Sequence, residues 1–263
     1  MKLPYFSIIM PTHLRPKLLE RALKSIKSNS YKEVEIIVVS DQLDAESFAI
    51  AASVLSEADT FIKRTGKSGP TESRNIGIYL ARGQRIIFLD DDDALLPDFL
   101  AKAKTFCDKF PSEVLYTNFR VIEEDRENPS ANTKTTDISV KDRKIEEVYV
   151  KNFIHNHTCL YPAISLKNRL QDSHLASLDD WEFLLNVLSG SDFRHIDING
   201  PVIYKDYVNT GNRRGTSDGA QGSLAIADYL YIYRRWPAPN TILKQQRKDL
   251  LKSVGLDIPI EWV

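Results

Sequence analysis

Residues 85–100 of the chain read RIIFLDDDDALLPDFL. The apolar run from Ile86 to Leu89 is too short for a helix and is typical of a buried strand. Four consecutive aspartates come directly after this run. Pro97 then suits the first turn of a new helix, whose N-terminal dipole Asp98 complements. The stretch therefore predicts acidic side chains at the carboxyl end of a buried strand, which is where open α/β sheets bind their ligands.

Four adjacent carboxylates repel one another, and a bound cation relieves that repulsion. In an extended segment Asp90 and Asp92 point to the same face, with their Cα atoms roughly 6.5 Å apart. Oxygen ligands without histidine or cysteine suit Mg²⁺ or Mn²⁺ better than zinc. We therefore predict a Mn²⁺ or Mg²⁺ site at Asp90 and Asp92. The alternative is an acidic turn that is simply solvated.

Length and composition limit the classes of protein that the chain can represent. Its 263 residues fit one large α/β domain or two small ones, and a hydrophobic content of 42% is enough for a sizeable core. The formal net charge of −1 gives no case for a nucleic acid partner. Cys107 and Cys159 make no disulfide framework and suit a reducing cytosol, and no run has the length of a signal peptide or a membrane span. We therefore expect a cytoplasmic protein.

Apolar runs alternate with helical patterns in the N-terminal part of the chain. We expect the helix opened by Pro70 to bury Ile76, Tyr79 and Leu80. The alternation predicts a parallel sheet with right-handed crossovers. The predicted strands lie at 6–10, 34–39, 60–62 and 86–89, and the predicted helices at 16–28, 45–55 and 70–83.

Several polar side chains follow these strands at one edge of the predicted sheet. Thr12 and His13 follow the first strand, Asp41 ends the second, and Arg74 lies one turn into the helix opened by Pro70. Such groups can bind a base, a ribose and a diphosphate. Taken singly, Asp41 also suits a helix N-cap, and Arg74 a surface ion pair with Glu72 or a neighbour. The chain has no Gly-x-Gly-x-x-Gly after the first strand, which disfavours a dinucleotide cofactor, and no Walker lysine motif.

Four segments together resemble the family 2 glycosyltransferases: SIIMPT at 7–12, IIVVSD at 36–41, SRNIG at 73–77 and IIFLDDDD at 86–93. The resemblance implies an inverting enzyme with the GT-A fold. That fold is α/β, with a Rossmann-like, mostly parallel central sheet flanked by helices, here followed by a C-terminal helical tail. Ser40 departs from the family, which usually has an acid there. By the resemblance Asp90 and Asp92 look like the Asp-x-Asp metal motif, with Asp92 the direct ligand, and the nucleotide-sugar contacts are Pro11, Thr12, Asp41, Arg74, Asp90 and Asp91.

The second half of the chain is less regular. We predict a helix over 99–110, a strand over 114–122 and a polar loop over 123–137, and 145–154 is compatible with strand or helix. His155, His157 and Cys159 lack the further ligands that a metal site needs. We expect His157 to face an acceptor sugar instead.

Asp179 and Asp180 stand at the start of an amphipathic helix that begins LDDWEFLL. An aspartate there caps a helix and complements its dipole, but capping needs only one. The family has a similar acidic pair before tryptophan, and its second acid looks like the catalytic base. By that resemblance Asp180 is the base, and Asp179 and Trp181 are weaker candidates for acceptor contacts.

The segment 209–217 carries Arg213 and Arg214, which could close over a diphosphate; a solvated loop is the alternative. Helices are predicted at 223–236 and 241–254. The first ends in Arg234, Arg235 and Trp236, which suit core packing or peripheral contact with an anionic membrane.

We therefore predict a glycosyltransferase domain over 1–215, with a nucleotide-sugar half at 1–95 and an acceptor half at 96–215, and a helical tail over 216–263 packed on it. The expected donor is a nucleotide-diphosphate sugar, with a UDP-sugar favoured, and the expected acceptor is a glycan or lipid-linked glycan. The alternatives are a nucleotidyltransferase that makes the sugar nucleotide and a non-catalytic binding module. The first usually carries a glycine-rich signature after the first strand, which PTHLRP at 11–16 lacks.

Overall fold

A computed structural model describes residues 3–42, 44–128, 133–175, 177–208 and 219–263, with the backbone alone for 219–225. Its N-terminal half contains four parallel strands in the order β3-β2-β1-β4, as the alternation predicts. They are β1 (Phe6–Thr12), β2 (Val34–Ser40), β3 (Thr60–Lys63) and β4 (Arg85–Phe88). Strand β1 runs past Pro11, where we expected it to stop. The proline fits because β4 pairs with β1 only as far as Ile9, so β1 has one neighbour at Pro11.

The connecting helices are α1 (Pro16–Lys27), α2 (Ala45–Val54) and α3 (Pro70–Leu80), and α4 (Phe99–Lys109) follows the acidic stretch. Our prediction for the buried face of α3 is wrong, since Tyr79 is 76% exposed and Leu80 37%. The buried side is small and polar, with Thr71, Ser73, Arg74 and Gly77. Helix α3 lies so close to β1 that a Cβ on Gly77 would come within 2.3 Å of Ile9 Cγ2. A large apolar face has no room there.

The second half adds the strands β5 (Ala94–Leu95), β6 (Val114–Glu124), β7 (Lys134–Ile138), β8 (Cys159–Pro162) and β9 (Phe193–Asp206). They extend the sheet in the order β4-β8-β6-β9-β5, with β7 beside β6. Only β6 and β9 are parallel here, so the whole sheet is mixed. The predicted polar loop is partly wrong, because β6 reaches Glu124 and β7 pairs with it as an exposed strand. Residues 145–149 form a 3₁₀ helix.

Three further helices pack on this half: α5 (Asp179–Leu188), α6 (Gly219–Arg235) and α7 (Thr241–Ser253). Tyr233 of α6 and Leu251 of α7 belong to the same buried cluster as Trp181 of α5. The fully buried Arg247 of α7 donates hydrogen bonds to the carbonyls of Tyr149, Tyr233 and Trp236. Across the described ranges, no helix has the length and apolarity that a membrane crossing requires.

Candidate active site

The four carboxylates form a tight turn directly after β4, in which Asp93 N donates to the carbonyl of Asp90. Exposure alternates along the turn: the side chains of Asp90 and Asp92 are 30% and 24% exposed, and those of Asp91 and Asp93 are 5% and 4%. Asp90 and Asp92 are thus the accessible pair, although the segment is a turn and not the extended strand that the sequence argument assumed.

The two buried carboxylates anchor the turn to its neighbours. Thr12 Oγ1 donates to Asp91 at 2.7 Å, and the backbone N of Tyr204 in β9 donates to Asp93 at 3.0 Å. Burial raises the pKa of Asp91 to about 6. Asp91 and Thr12, both expected at the nucleotide, are thus turned toward each other, and Pro11 is buried in β1.

Asp90 is held between two cationic side chains. Its Oδ1 lies 2.6 Å from Arg74 Nη2, and its Oδ2 lies 3.0 Å from His157 Nε2. Burial alone would raise the pKa of Asp90, but Arg74 and His157 hold it far below its usual range. His157 Nδ1 also lies 2.9 Å from Asp93 Oδ2. Although burial opposes protonation, Asp90 and Asp93 raise the pKa of His157 well above its usual value.

His157 therefore does not take the position that we expected. Its side chain is only 13% exposed and bridges two carboxylates of the acidic turn, so it supports that turn rather than an acceptor sugar. The 3₁₀ segment Asn156–Thr158, just before β8, carries it there.

Asp92 is contacted by two arginines that the sequence did not single out. Asp92 Oδ2 lies 3.1 Å from Arg126 Nη2 and 3.4 Å from Arg15 Nη1. Arg15 lies three residues after the motif at 7–12, which is a weak signal. Arg126 lay in the stretch predicted as a polar loop, and no local pattern distinguishes it.

Asp41 at the end of β2 is buried against the loop that precedes α3. Its Oδ2 accepts a hydrogen bond from Gly69 N at 2.7 Å, and its Oδ1 lies 2.5 Å from His13 Nδ1. The cap of α2 is Asp44, so the N-cap alternative for Asp41 does not apply. The His13 side chain is 47% exposed and lies between Asp41 and solvent.

Arg74 connects the two acidic segments. Besides Asp90, its guanidinium lies 3.7 Å from Asp179 Oδ2 at the start of α5. The alternative of a surface pair with Glu72 is wrong, because Arg74 is buried and Glu72 pairs with Arg64. The buried Nε of Arg74 makes no hydrogen bond within the described part of the chain. Such an atom, on a side chain that also contacts the accessible carboxylate of Asp90, marks a place where a ligand oxygen would be favourable.

The N-terminus of α5 completes the site. Thr71 of α3 donates to Asp179, and the carboxylate of Asp180 accepts from Trp181 N at 2.8 Å. Burial raises the pKa of Asp180, and Asp179 adds to the effect. The residue before the helix, Leu178, has a left-handed backbone with φ of 60°, which is strain of the kind found at functional sites.

Trp181 does not reach the site. Its side chain is fully buried in the core, and Nε1 donates to the carbonyl of Val148 at 2.7 Å. One position along α5 turns the indole by about 100° from Asp180 and into the core. The expectation of an acceptor contact at Trp181 is therefore wrong.

The residues present fit a hard divalent cation only in part. In the ranges that the structure describes, no group of three or more histidine, cysteine or acidic side chains is placed to hold a metal. Two accessible carboxylates, Asp90 and Asp92, suit Mg²⁺ or Mn²⁺, which commonly keep waters and bind substrate phosphates as further ligands. Arg213 and Arg214 lie outside the described residues.

The end of α6 packs on α5, which is the first of the two roles that we expected for it. Arg235 Nε lies 3.2 Å from the fully buried Glu182 of α5, and Trp236 Nε1 donates to the same carboxylate at 3.1 Å. Both side chains therefore tie α6 to α5, although Arg235 is still 43% exposed.

Comparison with known proteins shows which family this chain is similar to. The family model described as Glycosyl transferase family 2 matches residues 7–169. The GalNAc(5)-diNAcBac-PP-undecaprenol beta-1,3-glucosyltransferase of Campylobacter jejuni is 36% identical over 102 residues, which cover 38% of this chain and 33% of that protein. The match thus spans only a third of that relative's length.

Two solved structures show the same fold. TarS 1–349 of Staphylococcus aureus in complex with UDP-GlcNAc superposes with a TM-score of 0.68 and 19% identity, covering 94% of this chain and 71% of TarS. The mannosyltransferase PcManGT of Pyrobaculum calidifontis in complex with GDP-Man and Mn²⁺ superposes with a TM-score of 0.59 and 14% identity, covering 99% and 78% of the two chains.

Proposed function

The chain belongs to glycosyl transferase family 2, and from that premise we propose that it moves a sugar from a nucleoside diphosphate donor to a hydroxyl of a glycan or lipid-linked glycan, with inversion at the anomeric carbon. A UDP-sugar is the favoured donor, since a protein of the same fold binds UDP-GlcNAc. A lipid-linked acceptor is proposed because the Campylobacter relative is named as a glucosyltransferase of an undecaprenol-linked glycan. In this proposal residues 1–95 bind the donor, 96–215 the acceptor, and 216–263 are a packed tail.

One observation carries the proposal: Arg74 joins the acidic turn to the start of α5. It lies 2.6 Å from Asp90 and 3.7 Å from Asp179, the neighbour of Asp180. A donor held at Asp90 and Asp92 would therefore lie beside a carboxylate that can act as a base.

Asp180 is the proposed base. Its raised pKa makes its carboxylate a better proton acceptor than an ordinary aspartate. The acceptor oxygen attacks the anomeric carbon, its proton passes to Asp180, and the bond to the nucleoside diphosphate breaks with its electron pair on the leaving oxygen. A single base and in-line attack give inversion, through a transition state of oxocarbenium character.

Asp90 and Asp92 are the residues that would hold Mn²⁺ or Mg²⁺. Such a cation supplies positive charge to the leaving diphosphate. Arg74 keeps Asp90 ionised and oriented, and Thr12 and Tyr204 hold the turn through Asp91 and Asp93.

A lipid-linked acceptor would place the protein at the cytoplasmic face of a membrane. Ile242 and Trp262 suit such a contact, since they are 69% and 66% exposed. This part of the proposal rests on exposure and on the relative's acceptor.

The test is thermal unfolding with UDP, GDP, ADP and dTDP, each with and without Mn²⁺, followed by a transfer assay with the matching sugar nucleotide. Ligand at about a hundred times its dissociation constant adds roughly 2.7 kcal/mol to the stability, a shift of several degrees. A shift that needs both Mn²⁺ and one nucleotide supports the donor site. A folded protein that responds to none contradicts it, and binding without any transfer would favour the non-catalytic module.

A further inference from the structure

The carboxylate proposed as the direct metal ligand is occupied by cations of the chain itself. Arg126 and Arg15 both contact Asp92 Oδ2, at 3.1 Å and 3.4 Å. A divalent cation bound to this carboxylate competes with both guanidiniums for its negative charge and repels them, so we expect its binding to weaken both contacts.

Arg126 is aimed at Asp92 by a second set of contacts. Its Nε lies 3.2 Å from Glu124 Oε1, and Nη2 also donates to the carbonyl of Tyr204 at 3.4 Å. Arg21 bridges the same elements, with one nitrogen on Glu124 and another on the carbonyl of Asp92. Arg126 therefore stays beside the acidic turn even when its contact with Asp92 is broken.

The charges of this cluster balance as it stands. Three carboxylates contact three guanidiniums, namely Asp91, Asp92 and Glu124 with Arg15, Arg21 and Arg126. A divalent cation adds two positive charges and separates Arg126 and Arg15 from Asp92. A nucleoside diphosphate ester brings two negative charges, which restores the balance and gives the released guanidiniums phosphate oxygens to bind.

We propose that Arg126 and Arg15 are diphosphate-binding residues that Asp92 holds in place until a divalent cation takes that carboxylate, so that cation and nucleoside diphosphate bind with strong positive cooperativity. The inference rests on the proposed function, because it takes Asp92 as the metal ligand. It adds two residues to the diphosphate site, of which Arg126 follows the end of β6 at Glu124. It also predicts that the cation and the nucleoside diphosphate each bind weakly without the other.

The experiment is a binding cycle on the full chain. Mn²⁺ affinity is measured by electron paramagnetic resonance with and without UDP, and UDP affinity by calorimetry with and without Mn²⁺, for wild type, Arg126→Gln and Arg120→Gln. Arg120 is the matched control, since it lies on β6, which ends two residues before Arg126, and pairs with the exposed Asp137. Coupling between two ligands commonly amounts to 5–150-fold in affinity.

For Arg126→Gln we expect Mn²⁺ alone to bind about tenfold more tightly, since a competing cation has left Asp92, and UDP with Mn²⁺ to bind about tenfold more weakly. With UDP alone binding as in wild type, the coupling factor then falls by about tenfold, and Arg120→Gln matches wild type. An unchanged Mn²⁺ affinity in Arg126→Gln overturns the inference. So does an equal loss of both affinities, which is what a merely structural role would produce.

Failure of the proposed function has a different signature. A wild type that binds Mn²⁺ but none of UDP, GDP, ADP and dTDP contradicts the donor site. The comparison of Mn²⁺ affinity between wild type and Arg126→Gln still decides whether Arg126 competes with the cation.

Discussion

Arg74 and Asp90 form a buried ion pair, with Arg74 Nη2 2.6 Å from Asp90 Oδ1, that joins helix α3 to the acidic turn. The arginine is 5% exposed, and Asp90 and Asp179 raise its pKa against the opposing effect of burial. The pair therefore fixes the position of Asp90 and brings the start of α5 within reach of it.

We expect Arg74→Gln to lower the free energy of unfolding by about 2–4 kcal/mol, because it leaves Asp90 without its main counter-ion in a largely buried place. Urea unfolding measures the loss. The double variant Arg74→Gln/Asp90→Asn removes both charges and should recover part of it.

Arg194→Gln is the matched control, since Arg194 makes a similar pair with Glu113 but is itself 46% exposed, whereas Arg74 is buried. Its loss should stay below about 1 kcal/mol. Two outcomes would contradict this prediction: an equal loss of unfolding free energy in both arginine variants, or a double variant that is no more stable than Arg74→Gln. Either would show that the Arg74–Asp90 pair contributes no more to stability than the pair of Arg194.

Asp180→Asn should abolish most of the turnover while leaving donor binding within about twofold. The asparagine oxygen can still accept from Trp181 N, so the helix start is preserved, but the amide takes no proton. Loss of a general base costs typically about 10²–10⁴ in kcat. Steady-state transfer rates and UDP calorimetry measure the two effects.

Asp98→Asn, at the exposed start of α4, is the control and should keep both rate and affinity. If Asp180→Asn instead weakens donor binding and leaves kcat unchanged, Asp180 is a binding residue and another residue is the base.

Asp59→Asn should make the free energy of unfolding less dependent on pH in the acid range. The buried carboxylate pairs with Lys27 and accepts from Ile36 N and from Ser56. Burial alone would raise its pKa, but these partners hold the pKa below the ordinary value of 3.8. The ionised form therefore stabilises the fold above that value, and the contribution is lost as the pH falls through the lower folded pKa.

The asparagine variant should be about 2–3 kcal/mol less stable than wild type at neutral pH, and the gap should narrow as the pH falls below 3.8. Urea unfolding across this range measures it. Asp137→Asn, which removes an exposed partner of Arg120, should cost less than about 1 kcal/mol throughout. A gap that is constant with pH would mean that the charge of Asp59 does not contribute.

Gly77→Ala should destabilise the protein by about 1–3 kcal/mol and weaken donor binding. The new Cβ would meet Ile9 Cγ2 at 2.3 Å, which forces α3 away from β1 and moves Arg74, one turn earlier. Adding Ile9→Ala should give a double variant that is more stable than the sum of the two single losses, as a double-mutant cycle would show.

Gly190→Ala is the control, because only the flexible end of Arg169 lies in the way of its Cβ. It should have little effect on stability or donor binding. Simple additivity at Gly77 and Ile9 would contradict close packing of α3 on β1.

The parallel half of the fold was predictable because its signals are local. Short apolar runs between helical patterns predicted the four strands β1 to β4, and their common direction put Asp41 and the acidic turn at one edge. The pairing in the mixed second half was not predictable, because a pair such as β6 and β9 joins segments that are distant along the chain.

The sequence by itself determined the fold class, the family and the acidic turn, since these follow from residue type and from spacing within short segments. Only the tertiary structure decided which side chains contact that turn. Packing of distant segments places Arg126 on Asp92, His157 between Asp90 and Asp93, and Trp181 in the core. Long-range contacts of charged groups depend on where the backbone brings them, and no local pattern records that.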